Sequence, residues 1–294
     1  MLKRLLGLKP LDRKLVAPPP PLAVVRDDAV EMTYLGTAGF VLKNGDRTVV
    51  LDPYLSRPGL VETLTRPLHS QPGLLKKHIP QADEVLIGHA HYDHILDAPA
   101  LCRMTGARLI GSRATCNVGR AAGLPESQLV ETAGREEIPC GKWTVRGLPS
   151  IHGKAIFGRI PIPGDIPAPP PWPPRLLDLK HGLVLNWVVD TGKLTVVHID
   201  SADFIPGELE GVKADVVCLC AIGRKYRPDY VKEVVRLLKP RWIVPCHWDT
   251  MITPYEAEPE LIPGVDLAGM VREIEAEGVT AVVMPMRGKQ VFSR

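Results

Sequence analysis

Glu84-Val85-Leu86-Ile87-Gly88-His89-Ala90-His91-Tyr92-Asp93-His94 is the stretch on which the fold of this chain turns. Its first four residues read as a short buried strand, and the six after Gly88 carry three imidazoles and a carboxylate. Histidine binds a divalent cation through a neutral ring nitrogen at about 2.0 to 2.1 Å, and a carboxylate oxygen does so at a similar distance. In extended backbone His89 and His91, two residues apart, project to the same side and can grip one ion. A kink at Tyr92 lets Asp93 and His94 turn toward another. The pattern is that of a loop anchoring two metals.

Two ions with about three protein ligands each, plus a shared bridge, need more than this loop supplies. His152 follows the strand Trp143–Leu148, Asp200 closes the strand Lys193–Asp200, and His247 ends Arg241–Cys246. Strand ends gathered at one sheet edge would bring them together. The expected grouping is His89, His91 and His152 on one ion, Asp93, His94 and His247 on the other, with Asp200 bridging and Asp203 as its substitute. Asp52, before Pro53, reads either as a turn-former or as an outer carboxylate that fixes a ligand imidazole. Isolated His69 and His78 read as surface or capping residues, and His181 and His198 as structural ones. Tyr92, locked inside the ligand loop, is the better proton donor, with Asp93 positioning the nucleophile. Lys154 and Arg159 are expected to hold an anionic group of the substrate and Trp172 an apolar one.

A chain of 294 residues with 45% hydrophobic content accommodates one sizeable α/β domain. Lys and Arg total 36 against 33 Asp and Glu, so the charge of +3 asks for no nucleic-acid partner. The six cysteines show neither a C-x-x-C pair nor the density of a disulfide scaffold, which points to a reducing, cytoplasmic setting. No run approaches the roughly 18 apolar residues of a membrane span. Residues 1–28 read as an N-terminal extension with a Pro-rich linker at Ala17–Pro21, and residues 29–294 as the domain. Three strands, Glu31–Gly36, Phe40–Lys43 and Arg47–Asp52, open it, the last two joined by an Asn44-Gly45-Asp46 hairpin. Helices at Ala98–Met104 and Ser112–Ala122 flank a strand at Arg108–Gly111, which argues for α/β layers. Later elements are strands at Gly182–Val189 and Asp215–Ala221, helices at Arg227–Leu238 and 265–277, and closing strands at Val279–Pro285 and Lys289–Phe292. The loop at 160–175 is too Pro-rich for helix or central strand and reads as a rigid wall beside the site, with Trp172 and Ile166 offering apolar contact.

With H-x-H-x-D-H followed by His, Asp and His in this order, the sequence resembles the metallo-β-lactamase fold superfamily. Thr33-Tyr34-Leu35-Gly36-Thr37-Ala38-Gly39-Phe40, Leu51-Asp52-Pro53 and Val244-Pro245-Cys246-His247 look most like its branch with ascorbate-phosphate lactonase and N-acylphosphatidylethanolamine phospholipase D. One departure is that the bridging Asp usually precedes Thr-Gly or Ser-Gly, a triplet found here at Asp190-Thr191-Gly192, a hairpin turn. The resemblance covers about residues 30–290 and implies a four-layer αβ/βα sandwich with the metals at one edge. The expected activity is hydrolysis of an ester, lactone or phosphodiester by a metal-bridging hydroxide. The metals would be two divalent ions, Zn first, Mn or Fe next, and the partner a small-molecule substrate. The alternatives are an iron enzyme like the superfamily's sulfur dioxygenases and a non-catalytic, metal-stabilised binding protein.

Overall fold

The structure, a computed structural model, describes residues 9–16 and 29–294 except residue 156. The linker at Ala17–Pro21 lies outside the described residues. Lys9–Pro10 (β1) pairs antiparallel with Glu260–Leu261, and Leu11 and Leu15 pack on the core. Part of the expected extension is thus docked on the domain, because its two leucines have an apolar surface to cover.

The first sheet begins with Ala29–Gly36 (β2), Gly39–Asn44 (β3) and Arg47–Leu51 (β4), an antiparallel meander. Asn44 pairs with Arg47 across a two-residue turn in which Gly45 has φ +58°. Glu84–Leu86 (β5), Arg108–Gly111 (β6) and Leu129–Glu131 (β7) continue the sheet in parallel. The second sheet contains Ile138–Cys140 (β8), Trp143–Ser150 (β9), Val184–Asp190 (β10), Thr195–Ile199 (β11), Val216–Cys220 (β12) and Trp242–Cys246 (β13). After Glu260–Leu261 (β14), Thr280–Ala281 (β15) completes the second sheet and Lys289–Ser293 (β16) pairs with β2 at the edge of the first. Each large sheet has seven strands.

Period-two alternation sorts side chains between layers. On β4, Val49 and Leu51 point into the core shared with Trp187, Leu185 and Val197 of the second sheet, and Val50 points out. After Leu60–Thr65 (α1), that outer face is covered by Pro72–His78 (α2), Tyr92–Ile95 (α3), Ala98–Thr105 (α4) and Arg113–Ala121 (α5), where Leu75, Leu101 and Val118 are buried. Pro206–Leu209 (α6), Tyr230–Leu238 (α7) and Leu267–Ala276 (α8) supply Leu209, Val234, Leu238, Met270 and Ile274 to the core of the second sheet. The result is the expected αβ/βα sandwich.

Several elements differ from the sequence reading. The helix expected over Arg227–Leu238 starts at Tyr230, because Asp229 at φ +52° interrupts it. The strand expected over Val279–Pro285 is confined to Thr280–Ala281. Short β7 and β8 carry too little pattern to stand out. All six cysteines are buried free thiols. Among the described residues no helix is long and apolar enough to cross a membrane.

Candidate metal centre

Parallel β4 and β5 deliver Asp52 and Gly88-His89 to the same edge of the first sheet. In the second sheet β11, β12 and β13 are parallel. β9 runs in their direction too, being antiparallel to β10, itself antiparallel to β11. His152, Asp200 and His247 therefore leave strands at one edge. The chain turns sharply after β5: His91 is extended and caps α3, whose helical backbone begins at Tyr92. That change of conformation is the kink expected there, and it aims Asp93 and His94 away from His91.

Three groups of candidate ligands result, each with its ligand atoms within 4.8 Å of one another: His89, His91 and His152; Asp93, His94 and His247; and His89, His94 and Asp200. Asp200 thus joins one imidazole from each of the first two. Its Oδ2 lies 2.5 Å from His89 Nδ1 and 3.7 Å from His94 Nδ1. His89 Nε2 is 2.9 Å from His91 Nδ1, and His247 Nε2 is 3.2 Å from Asp93 Oδ2. Asp203, the substitute for Asp200, is instead ion-paired with Arg227.

The outer contacts set ring orientation. Asp52 accepts from His94 Nδ1 at 2.8 Å and from the Gly88 N–H at 2.8 Å. His152 Nδ1 is 2.7 Å from the Gly153 carbonyl, and His91 Nε2 is 3.3 Å from the Ile162 carbonyl. Ile162, at φ +39°, holds a conformation that β-branched residues rarely adopt. The Gly153 N–H donates to Ser201 Oγ at 2.7 Å, fastening the His152 loop to the turn after Asp200. His247, at φ +54°, donates its N–H to the Thr37 carbonyl at 2.5 Å. Asp249 accepts from the Thr37 N–H and Tyr34 hydroxyl and pairs with buried Arg57 at 2.8 Å.

Burial, with crowding by His94, His91 and His152, holds His89 well below the usual imidazole range. Burial and His152 lower His91 to about 3, and burial lowers His152 to about 4. All three are neutral near pH 7, the form that ligates. Burial opposes charge on His94 also, but Asp52 and Asp93 outweigh it and raise that ring to about 9. Burial raises Asp52. Asp93 is held far below the carboxylate range because His94 and His247 outweigh the cost of its burial.

A divalent ion fits this donor set. Asp200 Oδ1 and His247 Nδ1 are buried without a hydrogen-bond partner, and an unsatisfied buried carboxylate oxygen is costly unless a cation or donor faces it. Five imidazoles and two carboxylates suit Zn, with Mn or Fe also compatible.

All seven candidate ligands and Tyr92 line a cavity of about 430 Å³. Burial keeps the Tyr92 hydroxyl protonated by raising its pKa far above the ordinary value. Opposite the ligands the walls are apolar, with Leu60 and Leu64 from α1, Ile162, Leu176, Ile222 and Met251. Of the residues expected to bind substrate, Lys154, Arg159 and Trp172 are not among those that line the cavity, although Gly153 and Ala155 on either side of Lys154 are. Lys154 and Arg159 lie in a loop that folds on itself, with Ala155 N–H bonded to the Arg159 carbonyl, and their side chains are exposed. Trp172 is 38% exposed, and Ile166 is buried in the core under the helices of the first sheet. From the Pro-rich loop, Pro161 and Ile162 line the cavity. His198 is buried against the Ala38 carbonyl at 2.8 Å, and neither it nor His181 lines the cavity.

Sequence reasoning gave Gly88 no role, yet a Cβ there would lie 2.1 Å from Asp200 Oδ2. A glycine between a buried strand and the first ligand was the available signal. The Arg57–Asp249 pair, 192 residues apart in the chain, left no local signal at all.

Residues 47–248 match a family model described as a beta-lactamase superfamily domain. A UPF0173 metal-dependent hydrolase of Anaeromyxobacter dehalogenans is 31% identical over 227 residues, covering 75% of each chain. Another from Myxococcus xanthus is 27% identical over 244 residues, covering 82% of this chain and 78% of that one. Among solved structures, the metallo hydrolase Igni18 of Ignicoccus hospitalis superposes with a TM-score of 0.59 at 19% identity, over 90% of this chain and 99% of its own. That likeness speaks for the fold.

Proposed function

The chain belongs to the metallo-β-lactamase superfamily as a metal-dependent hydrolase, and we propose that it works through two divalent ions on an ester, lactone or phosphodiester. His89, His91 and His152 would hold one ion, Asp93, His94 and His247 the other, and Asp200 would be shared. Bound there, the ions supply Lewis acidity and lower the pKa of water from 15.7 toward about 7. The chain's own groups do the rest. Asp93, held ionised, orients the attacking water through a carboxylate oxygen. Asp52 keeps His94 in one ring orientation. Tyr92, protonated and on the cavity wall, is the donor for the leaving group. The apolar walls exclude bulk water, which strengthens every polar contact inside.

The observation that carries this reading is that ligand atoms of His89 from one group, His94 from the other and Asp200 all lie within 4.8 Å of one another. Metal analysis joined to a hydrolysis assay tests it. Two equivalents of metal and turnover of a chromogenic ester or phosphodiester are expected, with both His91→Ala and Asp200→Ala inactive. One tightly bound iron with oxygen consumption, or an active Asp200→Ala variant, refutes it.

A further inference from the structure

Apart from the metal ligands, the polar groups that line the cavity are hydroxyls and one buried thiol: Thr63, Tyr92, Ser201, Thr250 and Cys220. Among the described residues that line it there is no lysine and no arginine. Arg57 is spent within the fold, paired with Asp249 at 2.8 Å and donating to the Thr250 carbonyl at 2.9 Å. A phosphodiester carries a negative charge on entry, and sites that recognise it supply Arg or Lys donors beyond the reacting centre. The walls here offer aliphatic side chains instead.

The apolar character continues to the mouth. α1 lines the cavity with Leu60 and Leu64, which are 38% and 62% exposed, and Val61 beside them is 73% exposed. Leu177, next to the lining Leu176, is 70% exposed. Its volume of about 430 Å³ falls in the roughly 300–1,000 Å³ of small-molecule sites, room for a reacting group and a chain of several carbons.

We infer that the substrate is an uncharged ester or lactone carrying an apolar chain, the carbonyl at the ligand cluster and the chain along Leu64, Leu176, Ile222 and Ile262. The inference rests on the hydrolase reading above. In the reaction a water oxygen forms a bond to the carbonyl carbon and the bond to the alkoxy oxygen breaks. The departing alkoxide takes its proton from Tyr92, which a proton of the attacking water replaces, so an ester gives an alcohol and a carboxylic acid and a lactone gives both groups in one hydroxy acid.

The test is a rate series on the zinc-loaded protein with 4-nitrophenyl acetate, butanoate and octanoate, beside bis(4-nitrophenyl) phosphate. Burying a methylene is worth about 0.8 kcal/mol, so each added carbon should raise kcat/KM by up to about four-fold until the chain fills the cavity. The octanoate should exceed the acetate at least ten-fold and exceed the phosphodiester. Leu64→Asp, on an exposed helix where the fold tolerates a charge, should lower the octanoate-to-acetate ratio by ten-fold or more. A flat chain-length series, or a phosphodiester hydrolysed faster than every ester, overturns the inference and leaves the hydrolase reading standing. No turnover of any of the four compounds by protein holding two zinc equivalents overturns both.

Discussion

His94 Nδ1 and Asp52 Oδ2 lie 2.8 Å apart, both fully buried, and the second oxygen of the same carboxylate takes the Gly88 N–H. Asp52 therefore ties the end of β4 to the start of the ligand loop and fixes which nitrogen of His94 faces Asp93 and His247. Of the two roles open to Asp52 in the sequence, we propose the outer carboxylate, on the strength of these two hydrogen bonds.

Asp52→Asn should then weaken metal binding by about 10- to 100-fold, the usual cost of removing such a partner. Competition against a chromogenic chelator reads the affinity, and a thermal melt of the metal-free protein checks that the fold persists. An unchanged affinity would show that His94 needs no such anchor.

Gly88→Ala places a methyl 2.1 Å from Asp200 Oδ2, closer than any real contact. Because Asp200 is fixed at a strand end, the loop must give way. The variant is expected to hold at most one metal equivalent and to lose at least 100-fold in turnover. Two equivalents by mass spectrometry of the native protein would contradict this.

How far the sequence could be read follows the distance over which each feature is encoded. His89 to His94 lie within six residues, so their spacing alone announced a metal loop. His152, Asp200 and His247 could be placed because each ends a recognisable strand, and parallel topology gathers such ends. The wall of the cavity could not be placed this way. α1 has only six residues, and Leu64 lines the cavity with no periodic signature in the sequence to mark it. Lys154 and Arg159 looked suitable by nearness to His152, but a loop closed by its own backbone bond sends them to solvent.

The cysteines should be silent to alkylation. Burial pushes Cys116 and Cys140 up to about 12, and raises Cys102, Cys218, Cys220 and Cys246 as well. Only the thiolate reacts, and at pH 8 a thiol with a pKa of 12 is ionised to about one part in 10,000. Because a raised thiol pKa lowers the reactive fraction, labelling should stay negligible from pH 7 to 9. Iodoacetamide should modify none of the six in the native protein during the time that all six react in guanidinium chloride. Stoichiometric native labelling, read by intact mass, would contradict this.

Arg57→Ala tests the buried ion pair behind His247. Arg57 and Asp249 have no side-chain exposure, and Asp249 also holds Tyr34 and Thr37, whose carbonyl receives the His247 N–H. Removing the guanidinium leaves a buried carboxylate short of its cation, which typically costs about 3–5 kcal/mol. Two-state denaturant unfolding should register that loss. Turnover should fall as well, since the turn carrying His247 is held through Asp249. A stability change below about 1 kcal/mol would mean that Tyr34 and Thr37 satisfy Asp249 without Arg57.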